Sequence, residues 1–353
     1  MLYLPFLCKK NIAYCTQLME NKGLISIIYP FSNMSSQMSD SVFSIANQDY
    51  KNIEVLFLHT SEYDFSLLNK MLTKFPHLNV RQLEYEKGIN PLNFGIQHAK
   101  GEFVVFLAPE FILHPSRFKE QIEGLELNTN TQIITSKVDY QSNLEDSLKY
   151  KLFYDWQNEI ITYEEHLHHR FIELPFSLRA SLIRKDVFEE HGFFTNNPEV
   201  PEDYDLILKW LNNGVKVLKL DKYHTTLLDS KTRTRRNHRK YLQQNIDMVV
   251  LQHMAEWISE NIDRKRKLVV FGSSVRERNK YVVLKQFGLQ LEGFVQLKHI
   301  EIINHQSYTL EEVLKDKRFY ILVLNNLKGI RRQMRFVLEE EGLEIYKDFI
   351  LGS

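Results

Sequence analysis

The sequence contains only two cysteines, Cys8 and Cys15, which are too few to stabilise a 353-residue chain by disulfides or to form a four-cysteine zinc site. It also lacks an excess of one charge, because 45 Lys and Arg residues balance 45 Asp and Glu residues. Proteins that bind nucleic acid through bulk charge usually carry a basic excess, so no nucleic-acid partner is predicted.

Long hydrophobic runs are absent as well. No apolar stretch approaches the ~18–20 residues that span a bilayer, so no transmembrane segment is predicted. The start of the chain, Met1 to Leu7, is too short for the apolar region of a signal peptide and has no basic residue before it. We therefore expect a cytoplasmic protein.

The composition that remains is 43% hydrophobic and 25% charged, which is typical of globular proteins. The length favours two domains. We predict an N-terminal arm at residues 1–22, a first domain at 23–235, a helical linker at 236–267 and a second domain at 268–353. Residues 1–18 are interpreted either as an added extension or as an ordinary arm, and we expect the core to fold without them.

Short apolar segments alternate with helical patterns in the first domain. The predicted strands are Leu24–Tyr29, Ile53–Leu58, Leu78–Val80 and Phe103–Leu107. The predicted helices between them cover residues 35–47, 65–75 and 91–99. This alternation favours a mostly parallel α/β sheet covered by helices on both faces. Ligands of such sheets bind at the carboxyl ends of the strands, which directs attention to the residues after Tyr29, Leu58 and Leu107.

The rest of the chain predicts a long helix and a second α/β domain. Residues 236–262 carry an apolar stripe at helical spacing, and strand and helix patterns resume from Leu268. The turn after Phe271 has one glycine, so the dinucleotide-binding fingerprint is absent. Ser273, Ser274 and the following helix start could still hold an anion, and a role in assembly or acceptor docking is an equal alternative.

Five blocks of the first domain resemble family 2 glycosyltransferases of the GT-A fold. They are residues 25–33, 44–50, 88–96, 99–107 and 201–205. The resemblance implies a GT-A sheet that binds a nucleotide-sugar donor at its strand ends, and one displacement that inverts the anomeric centre. In such enzymes a divalent cation on an Asp-x-Asp motif neutralises the diphosphate, and a carboxylate takes the proton of the acceptor hydroxyl. The C-terminal part is similar to the small Rossmann-like domains that follow some polysaccharide-biosynthesis enzymes.

The resemblance implies that Asp203 is the general base, with Glu202 beside it. A structural alternative stands next to this role, because Pro201 suits the first helical position and acidic residues suit the first turn. An amphipathic helix continues from there to Gly214.

The sequence departs from the family pattern at three donor-contacting places. His59 and Thr60 stand where the family has an acidic pair, and Leu92 replaces the usual arginine before Asn93. The Asp-x-Asp position is Ala108-Pro109-Glu110, so Glu110 is the remaining candidate ligand for weakly bound Mn²⁺ or Mg²⁺. The alternatives are a solvated Glu110 and a His59 that is only a polar loop residue.

The resemblance also places a set of residues against the donor. These are Pro30, Phe31, Asn33, His59, Asn93 and Ala108. The basic segment 231–240 follows the last core strand, and in similar enzymes this segment folds over the diphosphate. Its Arg233, Arg235 and Arg236 offer forked donors that match phosphate geometry, although a solvated basic loop is the alternative.

The sequence therefore predicts an inverting glycosyltransferase of hexosyltransferase type, with a nucleotide-sugar donor and a glycan or other hydroxyl acceptor. The family resemblance points to surface polysaccharide or envelope glycan assembly. The alternative is a catalytically inactive relative that keeps the fold as a binding or scaffolding protein, and the Ala108–Glu110 site distinguishes the two. Homo-oligomerisation stays open.

Overall fold

The computed structural model describes residues 23–32, 35–60, 66–297, 302, 304–325 and 327–352. The predicted arm at residues 1–22 and the candidate donor residue Asn33 lie outside the described residues. The chain forms two compact units, and its path alternates between them. The first unit contains the described residues up to Thr162 together with Phe176–Asn196 and Val215–Arg236; the second contains Tyr163–Pro175, Asn197–Gly214 and the described residues from Asn237 onward.

The first unit is built on an eight-stranded sheet in the order β3-β2-β1-β4-β7-β6-β8-β5. The strands are β1 (Ile25–Pro30), β2 (Ile53–His59), β3 (Asn79–Glu84), β4 (Phe103–Phe106), β5 (Phe111–Leu113), β6 (Ile133–Gln141), β7 (Leu182–Arg184) and β8 (Val217–Leu228). The four adjacent strands β3, β2, β1 and β4 are parallel to one another, and β6 is parallel to β8. Strands β5 and β7 pair antiparallel. The mostly parallel α/β sheet predicted from the sequence is confirmed.

Helices of the first unit connect these strands or, in the case of the last helix, follow the last of them and end at the first residue of the next segment of the second unit. They are α1 (Ser36–Ala46), α2 (Ser66–Leu72), α3 (Pro91–His98), α4 (Arg117–Leu127), α5 (Leu148–Glu159), α7 (Asp186–His191) and α9 (Thr234–Asn237). Helix α3 begins where the sequence predicts, because the Asn90 side chain accepts from the backbone N–H of Leu92 and Pro91 occupies the first turn. The nearly continuous apolar runs of β1, β2 and β4 are buried because helices cover the sheet.

The register of the central strands creates a common edge. Ile28 of β1 pairs with Leu56 of β2 on one side and with Phe106 of β4 on the other. The three strands are parallel, so their carboxyl ends lie at the same edge of the sheet. We call this edge, formed by the residues that end or follow β1, β2 and β4, the strand-end edge.

A buried polar cluster joins the opposite ends of the same strands. The Ser26 hydroxyl donates to Glu54 Oε1 (2.6 Å) and accepts from the backbone N–H of Gly101 (2.8 Å). Arg81 pairs with the same glutamate at 3.2 Å. A Cβ atom on Gly101 would lie 2.5 Å from the Leu24 carbonyl oxygen, so only glycine lets the chain enter β4 this close to β1.

The second unit contains a five-stranded parallel sheet in the order β11-β10-β9-β12-β13. Its strands are β9 (Lys267–Phe271), β10 (Leu291–Gln296), β11 (Gln306–Thr309), β12 (Phe319–Val323) and β13 (Phe349–Leu351). Its helices are α6 (Tyr163–His169), α8 (Glu202–Asn212), α10 (Gln243–Asn261), α11 (Val275–Gln286), α12 (Leu310–Lys315) and α13 (Lys328–Glu340). The second, smaller α/β sheet is thereby confirmed. Within the described ranges, no helix has the length and apolar character needed to cross a membrane.

The segment predicted as one helix over residues 236–262 is divided. Helix α9 ends at Asn237, a short 3-10 turn covers Arg239–Tyr241, and α10 begins at Gln243. His238 and Leu242 adopt extended backbone angles, and the His238 side chain accepts from the backbone N–H of Lys240. This local cap competes with helical hydrogen bonding and interrupts the apolar stripe.

Candidate functional site

The end of β1 is a packed part of the strand-end edge. Pro30 closes the strand, and the Phe31 backbone N–H donates to the Leu58 carbonyl (3.1 Å). The buried Phe31 ring meets Phe57 edge-on, with 6.0 Å between the ring centroids. Pro30 and Phe31 therefore provide a fixed apolar base for this edge, and their contact with a donor stays a prediction.

His59, the last residue of β2, is only 4% exposed. Its Nδ1 atom lies 3.0 Å from the carbonyl oxygen of Thr60. A ring held in this way is fixed at the strand-end edge rather than extended into solvent. Recognition of a nucleotide base or ribose by His59 stays a prediction.

Asn93 in α3 anchors a neighbouring loop. Its Nδ2 donates to the Phe194 carbonyl (2.9 Å), and its Oδ1 accepts from the Phe194 N–H (3.1 Å). This two-way amide contact explains why an asparagine suits the position without any ligand. A contact between Asn93 and the donor is not needed to account for the geometry and stays a prediction.

The turn Ala108-Pro109-Glu110 follows β4. The Ala108 carbonyl accepts from the Phe111 N–H (3.0 Å), and the Glu110 carbonyl accepts from the Leu228 N–H (2.8 Å). The carbonyl groups of Ala108 and Glu110 therefore join the turn to β5 and β8. The half-buried Glu110 side chain supplies the carboxylate of this turn. The described residues contain no group of three or more His, Cys, Asp or Glu side chains that could hold a metal ion. Glu110 alone offers few of the oxygen ligands that a divalent cation takes, so a cation here would depend mainly on substrate phosphates and water, and its binding stays a prediction.

Arg179 also lies at the strand-end edge, and the sequence patterns did not single it out. It sits on a 3-10 turn, Leu178–Ala180, and its Nη1 donates to the Leu107 carbonyl (3.1 Å) directly before Ala108. Burial raises the pKa of the Tyr29 hydroxyl in β1; the Glu110 charge raises it further and Arg179 lowers it. The available signal was that Arg179 is the single charged residue between Leu174 and Ile183.

Arg233 and Arg236 both form ion pairs with Asp229, a residue of the first unit. Both contact Asp229, whose side chain has no solvent exposure: Arg233 Nε lies 2.9 Å from Oδ1 and Arg236 Nη2 lies 2.6 Å from Oδ2. The Tyr140 hydroxyl hydrogen-bonds to the same carboxylate. Burial raises the pKa of Asp229, but the hydrogen bonds from Arg236 and Tyr140 outweigh it, and the net pKa is lowered.

Further contacts fix Arg235 and Arg236 of the basic segment 231–240. Arg236 Nη1 reaches both carboxylate oxygens of Asp146 (2.9 and 2.8 Å), and its guanidinium lies 4.2 Å from the Tyr150 ring centroid. The Arg235 guanidinium lies 5.0 Å from the Phe153 ring centroid. These contacts give the arginines a structural role that the sequence did not show. Their contact with a diphosphate stays a prediction.

The predicted carboxylate pair lies in the second unit, in the first turn of α8. Pro201 is the residue that precedes the helix rather than its first residue, and its extended backbone lets the chain enter α8 at Glu202. Glu202 forms an ion pair with Lys240. One oxygen of Asp203 accepts from the backbone N–H of Tyr204 (3.1 Å). The helix start is as predicted, and the catalytic role of Asp203 stays a prediction.

Helix α8 is held by contacts with α10. Asp205 Oδ1 lies 3.0 Å from His253 Nε2, and Asn212 Nδ2 donates to the His253 carbonyl (3.1 Å). Trp210, on the buried face of α8, has no solvent exposure. These contacts fix the helix that carries Asp203 along most of its length.

The helix start after β9 does not favour an anion. Ser274 precedes α11, and its hydroxyl donates to the buried carboxylate of Glu277. The other oxygen of Glu277 accepts from Asn325 Nδ2 (2.8 Å). The Glu277 carboxylate therefore already occupies the first turn of α11, and its negative charge would repel a phosphate.

Comparisons with known proteins bear on the first unit most directly. The sequence model of the family described as glycosyl transferase family 2 matches residues 26–192. An uncharacterized glycosyltransferase of Haemophilus influenzae is 25% identical over 53% of this chain and 59% of its own length. One from Rickettsia typhi is 26% identical over 53% of this chain and 58% of its own length. The chain thus spans less than two thirds of the length of these curated relatives.

A solved structure supports the fold. The crystal structure of Staphylococcus aureus TarS residues 1–349 in complex with UDP-GlcNAc aligns with a TM-score of 0.51, covering 75% of this chain and 71% of that chain. The sequence identity is 17%, so the likeness concerns the fold alone. Together, the family match, the named relatives and the fold confirm that this chain resembles family 2 glycosyltransferases of the GT-A fold.

Proposed function

We propose that this protein is a glycosyltransferase that transfers a sugar from a nucleotide-sugar donor to an acceptor hydroxyl. The observation that carries the proposal is the family match over residues 26–192, the part of the chain that contains the strand-end edge. The relatives named as glycosyltransferases support it.

The donor binds at the strand-end edge in this proposal. Ligands of open parallel sheets occupy the carboxyl ends of the strands, and Pro30, Phe31 and His59 offer a fixed surface there. TarS was crystallised with UDP-GlcNAc, which makes UDP-GlcNAc the first donor to test. We propose a hexosyl donor and a glycan or other hydroxyl acceptor, in surface polysaccharide or envelope glycan assembly.

The proposed reaction is a single inverting displacement. The acceptor oxygen forms a bond to the anomeric carbon while the bond from that carbon to the diphosphate oxygen breaks. The acceptor proton passes to the Asp203 carboxylate, and the nucleoside diphosphate departs with the bonding electrons. The ion pair between Glu202 and Lys240 fixes the adjacent residue of α8, which favours a constant position for Asp203.

The alternative is a protein that binds the donor without turning it over. The observation that favours this alternative is Ala108, which places a methyl group where the family has a carboxylate. The two functions differ in whether the sugar–phosphate bond is broken, so a direct assay separates them.

The test is a panel of UDP-, GDP- and dTDP-sugars incubated with the full chain, with and without Mn²⁺ and with simple glycan acceptors. Release of nucleoside diphosphate reports turnover, and calorimetry reports binding. We expect binding and release for at least one donor. Binding without release for every donor would favour the scaffold alternative, and no binding under any condition would contradict both.

A further inference from the structure

We propose that Arg179 is the cation that receives the diphosphate of the donor, in place of a metal ion, for which the Ala108-Pro109-Glu110 turn offers a single carboxylate. This inference rests on the proposed function and adds a binding residue to it. The family pattern has two metal-binding carboxylates at the end of β4. The structure instead brings one carboxylate, Glu110, and one arginine, Arg179, to this end of the strand.

The position of Arg179 is the first argument. Its guanidinium is fixed to the carbonyl of Leu107, the residue immediately before the turn, by the 3.1 Å hydrogen bond from Nη1. The 3-10 turn that carries Arg179 is itself closed by a hydrogen bond from the Ala180 N–H to the Ser177 carbonyl (3.1 Å). A cation is thus held at the end of β4, where the lost carboxylate would have placed one.

Most of the hydrogen-bonding capacity of Arg179 is unused among the residues that the structure describes. A guanidinium has five N–H donors, and the contact with Leu107 uses one of them. In the described part of the chain, no carboxylate forms an ion pair with Arg179, and its side chain is half-buried. Arg233 and Arg236 differ, because Asp229 pairs with both and Asp146 also pairs with Arg236.

The local charge balance is the third argument. Glu110 belongs to the turn that directly follows Leu107, the residue to which Arg179 is hydrogen-bonded, and the two opposite charges act on the Tyr29 hydroxyl in opposite directions. Without Arg179 the charge of Glu110 would oppose an incoming diphosphate. With it, a forked donor faces the group on which negative charge develops as the sugar–phosphate bond breaks. Arginine keeps its charge without metal, so the site should tolerate a chelator.

The experiment measures nucleotide binding by calorimetry in the presence of EDTA, using the nucleoside diphosphate of the donor that the parent protein binds. The variants are Arg179→Ala and Arg179→Lys. The matched control is Arg184→Ala, because Arg184 is another half-buried arginine of the first unit but pairs with Phe103 at the opposite end of β4. Melting temperatures verify that each variant is folded.

We expect Arg179→Ala to weaken diphosphate binding roughly 10- to 100-fold, since charge-assisted bonds to phosphate are strong. Binding of the nucleoside monophosphate should change much less, because the group lost is the one that faces the terminal phosphate. Arg179→Lys should fall between the parent and the alanine variant, since it keeps the charge but loses the fork. Arg184→Ala should bind as the parent does.

Two outcomes overturn the inference and leave the proposed function standing. One is equal binding by Arg179→Ala and Arg184→Ala. The other is diphosphate binding by the parent that disappears in EDTA and returns with Mn²⁺, which would show that a metal ion carries the charge. Should Arg179→Ala fail to fold, the lysine variant decides: parent-like affinity and parent-like preference for diphosphate over monophosphate would contradict a forked contact. A parent that binds no nucleotide at all, with or without Mn²⁺, would overturn the inference and the proposed function together.

Discussion

Arg236 Nη2 lies 2.6 Å from Oδ2 of Asp229, a carboxylate that has no solvent exposure. Because Arg233 contacts the other oxygen of the same carboxylate, one buried negative charge holds two arginines of the segment that follows β8. The segment that the sequence marks only as basic is thereby joined to the sheet.

We predict that Asp229→Asn lowers the free energy of unfolding of the first unit by about 3–5 kcal/mol, because it removes the counter-charge of the buried Arg233 and leaves Arg236 with Asp146 as its acidic partner. The matched control is Asp221→Asn, since Asp221 forms an ion pair with Lys137 but its side chain is 70% exposed; it should cost less than about 1 kcal/mol. Urea denaturation at neutral pH measures both. Similar losses for the two variants would contradict a special role for Asp229.

The same cluster predicts a pH dependence. The folded pKa of Asp229 is lowered below the ordinary value of 3.8, so its contribution to stability is present above about pH 4 and is lost as the pH falls through the folded value. The stability difference between the parent and Asp229→Asn should therefore shrink below pH 4. Urea curves at pH 7, 4 and 3 test this, and a constant difference would show that the charge of Asp229 is not responsible.

Asp203→Asn should reduce turnover roughly 10²- to 10⁴-fold while donor affinity stays near that of the parent, because the amide cannot accept the acceptor proton. The matched control is Asp186→Asn, which removes an exposed carboxylate from the first turn of α7. Kinetics and donor calorimetry on both variants show whether Asp203 acts as a general base or only as an acidic residue that stabilises the start of its helix. Equal turnover by the two variants would remove Asp203 from the mechanism.

Gly101→Ala should destabilise the protein by about 2–3 kcal/mol, because the new Cβ would meet the backbone oxygen of Leu24 at 2.5 Å. Gly329→Ala, in α13, meets no atom within 4 Å and should leave stability unchanged or raise it by up to about 1 kcal/mol. Thermal and urea unfolding of the two variants provide the comparison, and a neutral Gly101→Ala would show that β1 and β4 can separate without cost.

A chain that begins at Met19 should melt within a few degrees of the full chain, since the pattern of residues 1–18 predicts no contribution to the core. Differential scanning calorimetry measures the change. A large drop in melting temperature would show that these residues pack into the fold.

The central strands could be predicted because burial on both faces leaves a simple signal. Strands β1, β2 and β4 are nearly continuous apolar runs, and the expected and observed bounds differ by one residue at most. Strand β8 was not predicted, because its exposed residues Asp221, Lys222 and Tyr223 interrupt any apolar run, and its register with β6 shifts in the same region. A strand that pairs irregularly has no fixed period to detect.

Among the site residues, a position that depends on local sequence was predicted, and a contact that is distant in sequence was not. Glu202 and Asp203 were predicted at a helix start, because that position follows from local sequence alone. Arg179 was missed because its partner Leu107 is 72 residues away, and a single arginine in an apolar stretch has no period. The pairing of Arg233 with Asp229 was also missed, although their spacing of four residues is a detectable pattern in a helical or turn segment.

The alternation of the chain between its two units has a consequence for biosynthesis. The eight-stranded sheet has all of its strands once Leu228 has been synthesised, whereas α8, made earlier, must wait for His253 of α10, 48 residues beyond Asp205. During translation α8 therefore stays without its contacts to α10 after the sheet is complete. A chain shortened at Arg236 would lack α10, so α8 would remain without the contacts that Asp205 and Asn212 make with His253.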